Sequence, residues 1–152
     1  MMNRSVLAAL TVATAALSLP AAAQFQKPED AVKYRQSAMF VMGNHFGRIG
    51  AMVNGRAPYD AAAATMNAEV VASMSMLPFV GFVEGTAGTV KGSSKADIWT
   101  KRADFDAGAK KMQQEVTKLL AAAKTNNLDN LKAAFGEVGK SCKGCHDDYR
   151  NQ

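Results

Sequence analysis

Cysteine and histidine are scarce in this chain, with two of each among 152 residues. A structural zinc site needs four ligands. It would use both cysteines and His146, and then His45 or a carboxylate to complete the set. Sustained alternation of apolar and polar residues is missing, which argues against a sheet. After residue 23 no apolar run is long enough to cross a bilayer. There is no internal repeat and no low-complexity tail. Excess positive charge is modest, at +5, and Lys and Arg are scattered. The lack of a basic stripe interleaved with aromatics excludes a nucleic-acid-binding surface. At this length one domain is expected.

Residues 1–23 read as a cleaved signal peptide. Arg4 supplies a positive start, Val6 to Leu19 an apolar core, and Pro20-Ala21-Ala22-Ala23 the small residues of a cleavage site. Residues 24–152 would then be the working domain, exported to the periplasm and not held by a membrane. Losing Arg4 and no acid lowers the formal charge from +5 to +4.

Both cysteines lie in Cys142-Lys143-Gly144-Cys145-His146. A C-x-x-C-H run signals covalent attachment of a c-type haem. At about 100° per residue, Cys145 lies roughly 60° to one side of Cys142 and His146 roughly 40° to the other. One helical face can therefore offer two thiols to the porphyrin edge and an imidazole to its iron. A thioredoxin-like pair would need a βαβ context, and the surroundings are helical. The motif occurs once, so one haem is expected, and export fits it because c-type haem is attached after export in bacteria.

Four helices are legible. Pro28-Glu29-Asp30 opens the first, with proline and acids suited to an initial turn, and Asn54-Gly55 stops it near Val53. Its apolar stripe is Val32, Arg35, Met39, Met42, Phe46, Ile49 and Val53, where Arg35 calls for a buried anionic partner. The second starts at Asp60 as N-cap, runs through Met66, Val70, Ser73 or Met74 and Leu77, and breaks at Pro78. Glu84 to Lys95 is the longest connection, of the kind usually functional or mobile. The third spans about Lys101 to Thr125, with Phe105, Ala109, Met112, Val116, Leu119 and Ala123 on one face. The fourth runs from Leu128-Asp129 to the end. Leu128, Leu131, Phe135, Val138, Cys142, Cys145 and Tyr149 form its apolar seam. The expected fold is all-α, an antiparallel up-down-up-down four-helix bundle with one covalently bound haem.

Across residues 24–152 the chain resembles the cytochromes c′ of bacterial periplasms. The resemblance rests on Pro28 to Gln36, His45-Phe46-Gly47-Arg48, Ala57-Pro58-Tyr59-Asp60 and Cys142 to Arg150. It implies haem c held by Cys142 and Cys145, with His146 as the strong axial ligand. Arg35 and Gln36 would lie at the haem edge, where Arg35 meets a propionate, and Thr86 would reach a propionate too. Arg150 would stand on the proximal side. Met39 would face the iron from the distal side, with Met42, Phe79 and Phe82 around it.

The resemblance further implies a mainly five-coordinate, high-spin cytochrome that binds nitric oxide and carbon monoxide, passes single electrons to a periplasmic redox partner, and forms a homodimer through helices one and two. Nitric oxide would be able to displace His146. Gly43, Gly47 and Gly50 would permit a close helix contact, and His45 reads as a surface or interface residue. Related low-spin bundles of the cytochrome c-556 type use a methionine on the first helix as sixth ligand, so a His146/Met39 electron carrier is the alternative. A nitric oxide- or peroxide-processing enzyme would need an acid–base group over the iron, and none is assignable, so the chain reads as a non-enzyme.

Overall fold

A computed structural model describes residues 24–152; the signal-peptide reading lies outside the described residues. Four long helices dominate: α1 (Pro28–Val53), α2 (Ala61–Met74), α4 (Arg102–Ala123) and α5 (Leu128–Tyr149). A short turn of helix, α3 (Asp97–Thr100), precedes α4, and a 3-10 turn covers Pro78–Gly81. Sequential helices pack as neighbours, α1 on α2, α2 on α4 and α4 on α5, and α5 returns against α1. This closes the up-down-up-down bundle that the sequence implies.

The helix ends follow their local chemistry. Pro28 sits in the first turn of α1 with Glu29 and Asp30, where the missing proline N–H costs nothing and acids meet the positive end of the helix. Gly55, at φ +69°, takes the left-handed conformation that stops it. Asp60 caps α2 by accepting from the Ala63 amide at 2.9 Å. Asn127 caps α5 by accepting from the amides of Asp129 and Asn130 at 2.9 and 3.0 Å. α2 stops at Met74, three residues before the expected Leu77, and Ser75 folds back to donate to the Ala72 carbonyl.

The stripe of α4 is buried as expected, from Phe105 through Ala123. That of α2 is rotated. Ala64, Asn67, Ala68 and Val71 are buried, whereas Met66 is 55% exposed. Small residues let helices approach closely, so Ala64 and Ala68 face inward and the bulkier Met66 is left outside. Asn67 is tolerated in the core because its side chain donates to the Ala63 carbonyl and bonds His45.

α1 shows the same preference. Ala31, Ala38 and Gly50 are buried beside Arg35, Met42 and Ile49, while Val32, Met39 and Phe46 are half-buried. Gly50 therefore does not belong to an outer helix-contact surface. A Cβ there would come within 2.9 Å of the Phe135 ring, whereas Gly43 and Gly47 face open space.

Candidate functional site

Val32, Met39 and Phe46 recur every seven residues, so they form one row along α1. Phe46 shows which way the row faces. Its ring stacks on Phe135 of α5, with centroids 4.2 Å apart and planes inclined by 14°. That stack sets the register of the antiparallel pair. Seven residues from each ring, a rise of about 10 Å, Met39 on α1 stands level with Cys142 on α5. Met39, Phe79 and Cys142 are all half-buried against the same hydrophobic cluster, which includes Met42. The seam is sealed by phenyl rings at one end and lined by a thioether and a thiol at the other.

Arg35 lies one turn nearer the N-terminus of α1 and is only 4% exposed. Its Nη1 donates to the Gly81 carbonyl at 2.9 Å and to Thr86 Oγ1 at 2.6 Å, and its Nη2 donates to the Thr86 carbonyl at 2.7 Å. The guanidinium also lies 4.7 Å from the centroid of the Phe82 ring, a cation–π distance. The partners of this buried cation within the described residues are thus neutral acceptors instead of a carboxylate. Desolvation pushes its pKa below the ordinary value. Of five guanidinium N–H groups, three are engaged; one on Nη2 and the one on Nε remain. They form one edge of the fork, the arrangement that takes a carboxylate by two parallel bonds.

Gly81 makes this pocket possible. A Cβ there would fall 2.7 Å from the Ala31 carbonyl oxygen and 3.0 Å from Arg35 Cβ, so only glycine lets the 3-10 turn lie against α1. Aromatic rings then extend across the bundle. Phe82 meets Phe105 edge-on at 4.8 Å, and Phe105 meets Tyr149 at 5.3 Å. Phe79 lies 6.1 Å from Phe82 and 5.9 Å from Phe105. Sequence periodicity put Phe105 and Tyr149 in helix seams; the meeting of Phe105 with Phe79, Phe82 and Tyr149 was invisible to it.

Both cysteines are free thiols and half-buried. Burial raises the Cys142 pKa and pushes that of Cys145 up to about 11, helped by Cys142 and Asp148. His146, one position on, is exposed as a residue. Desolvation by neighbouring atoms, and then the Arg150 charge, lower its pKa and favour the neutral ring. Two unpaired thiols and a neutral imidazole within one turn fit a haem bound through thioethers and one nitrogen. A four-ligand zinc site fits less well: among the described residues no three His, Cys, Asp or Glu side chains converge.

The remaining sequence-marked residues are dispersed. Gln36 is exposed on the turn that carries Arg35. Arg150 lies beyond the end of α5, in extended backbone, with its guanidinium against Gly92. Thr86 is tied directly to Arg35. His45 is half-buried and its Nδ1 lies 2.8 Å from Asn67 Oδ1, which links α1 to α2 away from the seam.

Comparison with known proteins agrees with the fold and the motif. The family described as Cytochrome C′ matches residues 30–150. Cytochrome c′ from Alcaligenes xylosoxydans xylosoxydans is 50% identical over 129 residues, covering 85% of this chain and 99% of that protein. The crystal structure of cytochrome c′ from Rubrivivax gelatinosus superposes with a TM-score of 0.79 at 46% identity, covering 84% of this chain and 100% of that one. A nitric oxide complex of a mutant cytochrome c prime from Alcaligenes xylosoxidans also superposes with a TM-score of 0.79, at 50% identity over 85% of this chain and 99% of that one.

Proposed function

Because the chain belongs to the cytochrome c′ family, whose members carry covalently attached haem c, we propose that it is a periplasmic one-haem protein that binds diatomic gases, nitric oxide and carbon monoxide above all, and passes single electrons. The observation that carries this reading is the register of α1 on α5. It sets Met39 level with Cys142 in a seam sealed beyond them by Phe46 and Phe135.

The bound haem supplies an iron that takes up a gas molecule and exchanges one electron. Everything else falls to the chain. Cys142 and Cys145 would hold the porphyrin edge through thioethers, and the His146 imidazole would hold the iron, with Arg150 nearby. Arg35 offers its remaining N–H edge to a propionate, supported by Gln36 and Thr86. Met39, Met42, Phe79 and Phe82 form the distal wall, and none is a strong hydrogen-bond donor. Bound oxygen depends on such a donor more than nitric oxide or carbon monoxide does, so this wall favours the latter two. No side chain on it can shuttle a proton, which argues for a carrier over an enzyme.

Met39 would shield the iron without bonding it, which would leave the resting iron mainly five-coordinate and high-spin. The half-exposed Met39 on the row facing α5 also suits a second reading, a six-coordinate His146/Met39 electron carrier. The optical spectrum of the reduced holoprotein separates them. A high-spin spectrum is expected, with carbon monoxide bound faster and more tightly by Met39→Ala. An off-rotamer Met39 costs about 0.5–1.5 kcal/mol, so the gain should be roughly tenfold or less. A low-spin wild-type spectrum that Met39→Ala turns high-spin would establish the second reading instead.

Assembly as a homodimer through α1 and α2 completes the proposal. Phe40 is 72% exposed on α1, beside the open surface of Gly43 and Gly47. Sedimentation of the protein as a monomer at micromolar concentration would refute it.

A further inference from the structure

The long connection before α3 is not a free loop. Its second half is fastened to the residues that follow the haem motif. The last four carbonyls of a helix have no partner within it. In α5 these belong to His146, Asp147, Asp148 and Tyr149, and all four are satisfied. His146 accepts from the Arg150 amide at 3.1 Å and from Gln152 Nε2 at 3.3 Å. The other three all accept from Lys95. Its Nζ donates to the Asp147 and Asp148 carbonyls at 2.9 and 3.0 Å, and its backbone amide donates to the Tyr149 carbonyl at 2.9 Å. A lysine at a helix C-terminus also meets the negative end of the helix dipole.

Asn151 completes the fastening. Its amide donates to the Ser93 carbonyl at 2.9 Å, and its own carbonyl accepts from the Gly92 amide at 2.8 Å. Its side chain donates to the Gly88 carbonyl and to Ser93 Oγ at 2.8 and 2.9 Å. Ser94 and Arg150 form an isolated antiparallel bridge between these bonds. Gly92 has φ +82° and lies under the Arg150 guanidinium, so the turn can pass close beneath that side chain.

Terminal helical turns ordinarily fray. This one carries His146 and is denied the freedom to do so by a segment distant in sequence. We propose that Lys95 and Asn151 are positioning residues for the axial ligand: their clasp on residues 147–151 holds the final turn of α5, and so limits how far and how readily the His146 imidazole can leave the iron. The inference rests on His146 being the iron ligand, as argued above. It assigns to this clasp the control of ligand release on the proximal side.

The test uses the holoprotein and three variants: Lys95→Met, which keeps the stem and removes the ammonium, Asn151→Ala, and Lys95→Arg as the conservative control. Three quantities are read: native-state hydrogen exchange of amides 149–151, the iron–imidazole stretching frequency of the ferrous protein, and the rate at which nitric oxide displaces His146. Lys95→Met and Asn151→Ala should each speed exchange and His146 release by about three- to tenfold, the effect of losing one or two ordinary hydrogen bonds, and lower the stretching frequency. Lys95→Arg should restore most of each. Unchanged exchange would show that the clasp does not hold the turn and would overturn the proposal. Faster exchange with unchanged frequency and release would reduce it to a structural contact, and overturn it equally. Failure of the underlying functional reading shows differently, as a wild-type protein with no iron–imidazole band at all.

Discussion

Arg35→Leu removes a buried cation whose three hydrogen bonds tie α1 to the 3-10 turn and to Thr86. Thr86 Oγ1 keeps a partner, because it donates to the Val83 carbonyl at 2.5 Å. The carbonyls of Gly81 and Thr86 lose theirs. A buried acceptor left unsatisfied costs about 1–3 kcal/mol, so the pair accounts for about 2–6 kcal/mol. Part is recovered, since the variant no longer holds a desolvated charge and leucine packs well. The net loss should be about 2–4 kcal/mol, read as the difference in guanidinium chloride unfolding of the two holoproteins. Arg35→Lys should fall between, because an ammonium can reach one or two carbonyls but cannot stack flat on Phe82. The midpoint potential of Arg35→Leu should also fall, because removing a nearby positive charge favours the ferric state. A stability loss below about 1 kcal/mol would mean that the carbonyls find water and that the pocket is not dry. An unchanged potential would mean that the remaining guanidinium edge does not face the haem.

Gly81→Ala should destabilise by about 1–3 kcal/mol, because the added carbon meets the fixed Ala31 carbonyl oxygen and not a movable side-chain tip; thermal unfolding reads it. Asn127→Ala should cost about 1 kcal/mol by the same assay, since Asn127 caps two amides of α5. Lys27→Ala should cost nothing measurable at the start of α1, where the side chain makes no capping bond. Cys142→Ser and Cys145→Ser should each leave at most one thioether, seen as a shifted pyridine haemochrome band, and double attachment in either variant would refute the assignment.

Much of the fold is legible because long helices announce themselves by period and by punctuation. Pro28, Asp60, Pro78 and Asn54-Gly55 mark boundaries whose physics is local. Rotation about the helix axis is harder to read. Met66 and Leu77 fall on the three- and four-residue steps that mark α2 in the sequence, yet close helix packing buries Ala64 and Ala68 instead. Similarly, Gly50 looked like a surface glycine until Phe135 was found against it. The thiols and the imidazole of the site were legible because the motif is contiguous. Arg35 was legible as an anomaly, a charge in an apolar stripe, although its partners among the described residues are two carbonyls and a hydroxyl. Lys95 and Asn151 escaped notice because their partners are some fifty to sixty residues distant and no period or motif links them. Of the two readings open for Glu84–Lys95, functional or mobile, the bonds from Lys95 to the end of α5 favour the first.

The Phe46–Phe135 stack has a kinetic consequence. α1 with α2, and α4 with α5, are hairpins of adjacent segments, and their contacts close short loops. The stack joins the first and last long helices and must be reached across everything between, so its loop-closure entropy exceeds that of either hairpin. The two hairpins are therefore expected to dock late, with the α1–α5 seam the last surface to shut. Cys142 stands in that seam. Until docking it remains reachable on an already helical α5, the state in which an attachment reaction has its best access to the motif. Phe135→Ala should then accelerate unfolding while leaving the refolding rate nearly unchanged, and a slowed refolding arm would place the seam early instead.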